Sequence, residues 1–361
     1  MGSKAHDILG PLDASAMRVV FLYVGQGEST LLLVPDGNGG HLSVLVDCNR
    51  SETHGGIDLA RLLQDLLPKA SDGELRRLDY FINTHPHKDH LGGLDSIREV
   101  ADVANVWHSG HTPGKEHDGP YQELRSLMRA TEKAGGGVVE LTGSRTASTI
   151  GKAQVHVLAP AAHVTDDIQG EDAAARYQRI HEQCAVLRFG YGNPAARVLV
   201  TGDSDKTAWK DHIAYHHAKD EENRVVSDVL SASHHGSRTF FKHSADDDQP
   251  YKEHLVAIAP TYLVISAPDA DDSPHEHPHD DALDLYRERV EADRILHMGS
   301  TGQSFVLDIE AGGDYDIRSD RGELAGAFGF VKPGKGGGND SGKRASVVEV
   351  ISRVERSRPM G

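Results

Sequence analysis

The run Thr84-His85-Pro86-His87-Lys88-Asp89-His90-Leu91-Gly92-Gly93 places three histidines and one aspartate within six residues. Imidazole and carboxylate groups are ligands for borderline divalent cations, and an extended or tightly turned segment points residues i and i+2 to one side. His85 and His87 can therefore share one metal while Asp89 and His90 turn toward a second. Two divalent ions are expected, and zinc or manganese suits the mixed donor set. The glycines after Leu91 permit a tight turn into a helix. The chain carries 23 histidines in 361 residues, far above ordinary usage, so imidazole chemistry is the first thing to account for.

The elements that position this loop follow from periodicity and turn chemistry. Stretches 18–24, 29–34 and 41–47 are rich in Val, Leu and aromatics and are separated by Gly- and Pro-containing turns, which predicts an antiparallel meander. Leucines at helical spacing predict a helix over 57–67, ended by Pro68, and the apolar strand 78–83 then delivers the histidine loop. Further strands are expected at 103–108, 154–158, 184–189, 197–201, 225–231, 262–266, 294–298 and 304–309. Helices are expected near Ser96 and over 121–133, 206–217 and 281–291. This mixture of meanders and strand–helix units points to a layered α/β architecture.

Residues 1–17 read as an N-terminal extension, 18–330 as one large α/β domain, and 331–361 as a tail. The tail opens with a Gly-rich linker over 332–342, and its residues 347–358 suit a short basic amphipathic helix, a candidate docking segment for a protein partner. The longest apolar runs fall far short of the roughly 20 residues that span a bilayer. The first fifteen residues lack the basic start and apolar core of a secretory leader, so a cytoplasmic protein with no membrane association is expected. Cys48 and Cys184 are too few for a disulfide framework and suit small buried thiols. A formal charge of −17 opposes tight binding of long polyanions, although bound cations reverse the sign locally.

The sequence His85-x-His87-x-Asp89-His90 after an apolar strand resembles the signature of the metallo-β-lactamase superfamily. The resemblance implies an αββα sandwich, two packed mixed sheets flanked by helices. It also implies that Asp47, after the strand before the signature, orients the metal loop, and it implies two further ligands: His181, in a loop opening a later strand, on the first metal, and Asp203 as the bridging carboxylate. The last ligand would come from the His234-His235 pair, with His234 preferred and His235 and Ser237 as supporting or substrate-contacting residues. In such a centre Asp203, with Asp89, holds a hydroxide between the ions as nucleophile. His108, His111 and His117 are read as surface residues.

Three more segments narrow the resemblance: 21–29, 234–237 and 266–278 are similar to the hydrolase domain of competence-type DNA-uptake channel proteins, here without the channel. Tyr23 and Glu28 stand where that family tends to have acidic residues. The resemblance implies a phosphodiesterase or nuclease acting on nucleic acid or a nucleotide, with His277 as phosphate contact or general acid. Hydrolysis of a small ester, lactone, thioester or amide is the second expectation. A third is an effector or regulatory subunit of a multi-protein system, such as an anti-phage defence module, inactive without its partner.

Overall fold

The computed structural model describes residues 3–71, 73–162, 172–219, 222–331 and 352–354. Its strands are β1 (Met17–Phe21), β2 (Thr30–Pro35), β3 (His41–Val46), β4 (Arg76–Asn83), β5 (Ala101–His108), β6 (Gly137–Glu140), β7 (Ser148–Ile150) and β8 (Ala153–Ala159). They continue with β9 (Val186–Tyr191), β10 (Ala196–Val200), β11 (Val229–Ser231), β12 (Tyr262–Pro268), β13 (Ile295–His297), β14 (Phe305–Ile309), β15 (Tyr315–Ser319) and β16 (Ser352–Val354). One sheet has the order β16-β15-β14-β1-β2-β3-β4-β5-β6, and the other β13-β12-β11-β10-β9-β8-β7.

Strand alternation explains the layering. On β1, Val19 and Phe21 enter the core between the sheets, whereas Val20 joins the outer core. The same split sends Val44 and Val46 of β3 inward and Leu45 outward. Both faces are buried, so these strands read as continuous apolar runs. The helices Leu59–Leu66 and Leu94–Val100 cover the first sheet's outer face, burying Leu62, Leu63, Leu94 and Ile97. Trp209, Ile213, Leu255 and Tyr286 cover the second sheet. The expected sandwich of two mixed sheets with flanking helices is therefore observed.

Parallel pairing places the chemistry. Strands β3, β4 and β5 run parallel, as do β10, β11, β12 and β13. In open α/β sheets ligands bind beyond the carboxyl ends of such strands. Asp47, the histidine loop, Asp203 and His234-His235 follow β3, β4, β10 and β11 in turn.

Several elements differ from expectation. His181 does not open a strand from a loop; it lies in the last turn of a helix, Ala173–Glu182, capped at its start by Asp172. The expected 206–217 helix contains a π-helical stretch, Ala208–Ile213, before Ala214–His217. Only Val229–Ser231 of the 225–231 stretch is strand. In the tail, Ser352–Val354 pairs with β15 as an edge strand rather than as helix, satisfying that strand's open backbone groups. The Gly-rich run 332–342 and the rest of the tail lie outside the described residues. At the other end, Lys4–Leu9 is a helix packed on Leu59–Leu66, with Ala5 N donating to Asp65 Oδ2 at 2.7 Å. No helix among the described residues is long and apolar enough to cross a membrane.

Candidate metal centre

Asp47 organises the histidine loop. It is fully buried and holds φ 55°, a left-handed conformation that aspartate tolerates better than most residues and that concentrates at functional sites. Its Oδ1 accepts from Thr84 N at 2.8 Å and Asn83 Nδ2 at 3.0 Å, and its Oδ2 accepts from Thr84 Oγ1 at 2.5 Å. The same Oδ2 lies 2.7 Å from His90 Nδ1. With Nδ1 so engaged, His90 presents Nε2 to Asp203 Oδ1 at 3.0 Å.

Two groups of ligand atoms converge on Asp203. His85, His87, His181 and Asp203 form one, and Asp89, His90, Asp203 and His235 form the other; within each, all ligand atoms lie within 4.8 Å of one another. Oδ2 of Asp203 faces the first group, 3.5 Å from His85 Nε2 and 3.7 Å from His181 Nε2. Its Oδ1 faces His90 and, at 3.6 Å, His235 Nε2. His87 Nδ1 and His181 Nε2 approach to 3.2 Å.

The geometry places His235, not His234, in the second group. Both histidines adopt left-handed backbone conformations, φ 50° and 59°, so the chain fans the two rings apart. His235 points Nε2 to Asp89 Oδ2 at 3.3 Å, its Nδ1 anchored on the Ser266 carbonyl at 2.9 Å. His234 lies beside Asp203 Oδ2 at 3.5 Å but outside both groups, with Nδ1 on Thr239 Oγ1. Ser237 caps the next turn and accepts from Thr239 Oγ1, so it supports His234 at one remove.

Buried polar atoms are nearly always hydrogen-bonded. Among the described residues His85 Nε2, His90 Nε2 and Asp203 Oδ1 are buried and make no well-aligned hydrogen bond, although the last two form an ion pair at 3.0 Å, and all three face the centre. Their imidazole and carboxylate chemistry, with one carboxylate shared, fits two divalent cations.

Electrostatics separate the histidines. Burial drives His85 and His181 well below the ordinary imidazole value and His87 to about 3. Burial acts on His90 too, but Asp203 and Asp47 outweigh it and hold His90 well above that value. Burial alone would raise Asp203, yet His234, His90 and His235 keep it well below the carboxylate range. His277 is brought to the rim, its ring 5.2 Å from His234 and 6.1 Å from His235. Burial, with His234 and His235 next in effect, pushes it to about 2, so it is a neutral ring near pH 7 rather than a near-neutral acid.

Other residues were not anticipated. His117, read as a surface residue, stacks on His87 at 4.3 Å and accepts from Lys88 N. His111 is buried against the Gln183 carbonyl. Cys184 lies 3.5 Å from His85 Nδ1 and accepts from Asp203 N. Glu28 is buried on Ser231 Oγ, and burial raises its carboxyl to about 7. Only Glu28 had a sequence signal, as a departure from a family pattern.

The profile of the metallo-beta-lactamase superfamily matches residues 23–260. The chain belongs to the metallo-beta-lactamase superfamily. No curated protein matches its sequence. Among solved structures of this superfamily's fold, YhfI from Bacillus subtilis is 14% identical, with TM-score 0.46, covering 81% of this chain and 99% of its own. Tm1679, a metal-dependent hydrolase of the beta-lactamase superfamily, is 16% identical with TM-score 0.41, covering 78% and 95%. Zinc-bound PqqB from Methylobacterium extorquens is 11% identical with TM-score 0.41, covering 78% and 97%. The metallo-beta-lactamase superfamily binds divalent metals, and the two His/Asp groups here could hold a pair of them.

Proposed function

We propose that this metal-dependent hydrolase cleaves phosphodiesters, with His85, His87 and His181 holding one cation, Asp89, His90 and His235 the other, and Asp203 shared between them. The observation that carries the reading is Asp203, whose two oxygens face different histidine groups while buried ligand atoms beside it make no well-aligned hydrogen bond. When bound, two divalent ions supply Lewis-acid polarisation of a substrate oxygen and lower the pKa of water from 15.7 toward about 7.

The chain's own residues do the rest. Asp47 fixes the His90 ring, and the Ser266 carbonyl fixes His235, so Nε2 of each faces inward. His277, neutral and at the rim, serves as a hydrogen-bonding contact to the phosphoryl or leaving oxygen. The phosphodiester assignment is supported by the competence-type motifs, because segments 21–29, 234–237 and 266–278, far apart in sequence, meet around this centre.

A second reading, hydrolysis of a small ester, lactone or thioester, is favoured by charge. A cleft of about 640 Å³ beside the centre is lined by Asp271, Glu276, Asp280 and Asp281, with Arg238 held by Asp281. Carboxylates there repel a long polyanion, so among phosphodiesters small nucleotides are the better substrates.

The test is a cleavage assay on the zinc- or manganese-loaded chain, with DNA, RNA, cyclic dinucleotides and acyl esters side by side and Asp203→Ala as blank. Phosphodiester turnover that vanishes in the blank supports the first reading. Acyl turnover alone replaces it with the second.

A further inference from the structure

A hydrogen-bond chain from the N-terminal loop reaches His277 and decides which of its nitrogens carries the proton. Ser273 Oγ accepts the backbone N–H of His277 at 3.0 Å and of His275 at 3.3 Å. A hydroxyl oxygen has two lone pairs and one proton, so Ser273 must donate that proton elsewhere. Its acceptor is Gln26 Oε1 at 3.0 Å. The glutamine amide is thereby oriented, and its Nε2 faces His277 Nδ1 at 3.3 Å. The reversed amide would set three donors against one hydroxyl oxygen and leave the Ser273 proton without its acceptor.

An amide nitrogen donates and cannot accept. His277 Nδ1 must therefore offer its lone pair, and the proton of the neutral ring sits on Nε2. We propose that Gln26 is a positioning residue that fixes His277 as the Nε2–H tautomer, so that it presents a hydrogen-bond donor to a substrate oxygen at the metal centre. The opposite tautomer would offer a lone pair and repel an anionic oxygen. The two residues are 251 positions apart, which makes the contact a tie between the loop after β1 and the loop after β12. The proposal rests on the hydrolytic reading for the role of the donor, but the tautomer itself does not.

The experiment reads the ring directly. The full chain is labelled with 15N-histidine and loaded with zinc, and His277 is identified by the signals missing from His277→Gln. Two-bond nitrogen–proton correlations then report its tautomer. The wild type is expected to show Nε2 protonated and Nδ1 bare. In Gln26→Glu, whose carboxylate only accepts, the proton is expected to appear on Nδ1; in Gln26→Leu the preference is lost. A wild-type ring protonated on Nδ1, or a His277 spectrum indifferent to Gln26→Glu, would overturn the proposal. Should Gln26→Glu fail to fold, the wild-type tautomer alone decides. Because the readout is the ring, a chain silent on every phosphodiester would sink the proposed substrate and leave this result intact.

Discussion

Nδ1 of His90 lies 2.7 Å from Oδ2 of Asp47, with both side chains wholly buried. The same carboxylate holds Thr84 and Asn83, so one residue sets both the ring and the backbone of the metal loop. Partners that orient a ligand typically contribute 10–100-fold to metal affinity. Asp47→Asn is expected to weaken zinc binding by about that factor in a chelator competition. Asp47→Ala should also unfold more easily, since each buried donor left unpaired costs about 1–3 kcal/mol. Unchanged affinity in a destabilised Asp47→Asn would reduce Asp47 to a purely structural role.

The two adjacent histidines separate by metal content. His235 faces Asp89 and Asp203 with Nε2, whereas His234 stands outside both groups. His235→Ala is expected to retain about one metal per chain, and His234→Ala two, by elemental analysis after dialysis. The reverse pattern would return the ligand role to His234.

The metal loop was legible because its ligands are nearly consecutive and local spacing alone decides which sides they face. The layered α/β arrangement was legible because strands buried on both faces read as apolar runs between stretches of helical spacing, whereas the αββα sandwich came from the family resemblance. What escaped lacked a local pattern. His181 itself was named, but not the helix Ala173–Glu182 that carries it, because Arg176, Gln178 and Arg179 are polar and no apolar periodicity announces that helix. Strands of three or four residues such as β6 and β7 are too short for alternation to register. Spacing cannot rank His234 against His235, because two left-handed residues in succession choose the ring that faces inward. Contacts such as Gln26 with His277 are invisible to any local reading.

The metal-free chain should weaken on mild acidification. Burial lowers His87 and His254 to about 3 and His156 and His217 to about 4. An unfolded imidazole titrates near 6.5. Folded pKa values below the unfolded one mean that the unfolded chain takes up protons first, so stability is intact above ~6.5 and falls as pH drops toward the folded values. His90 and His235 run the other way: their raised pKa values contribute stability below ~6.5 that is lost as pH rises through the folded values. Burial also raises Glu28 to about 7 and Asp205 to about 6, which favours the folded chain as pH falls, but the lowered set, with His85, His181 and His277 added, is larger, so urea midpoints should fall from pH 7 to pH 5. His254 alone, fully buried beside Phe240 and Tyr251, accounts for about 2 kcal/mol between pH 6.5 and 5. His254→Leu should flatten the acid limb by a similar amount, and an unaltered pH slope in that variant would count against a neutral buried His254.

Gly202 joins β10 to Asp203, and nothing larger fits. It holds φ +47°, and a Cβ there would meet Cys184 Sγ at 2.6 Å and Thr84 Oγ1 at 2.7 Å. Its carbonyl accepts His234 N at 2.9 Å. Gly202→Ala therefore combines a left-handed alanine, costing about 1–2 kcal/mol, with overpacking of about 1–3 kcal/mol. Both obstructing atoms sit beside His85, so metal affinity should fall together with the melting temperature. Removing one obstruction provides the check. In the double variant Gly202→Ala/Cys184→Ala the sulfur is gone while the backbone strain remains, so part of the stability and of the metal affinity should return. Strict additivity of the two single changes would mean that the glycine is required by its backbone conformation alone.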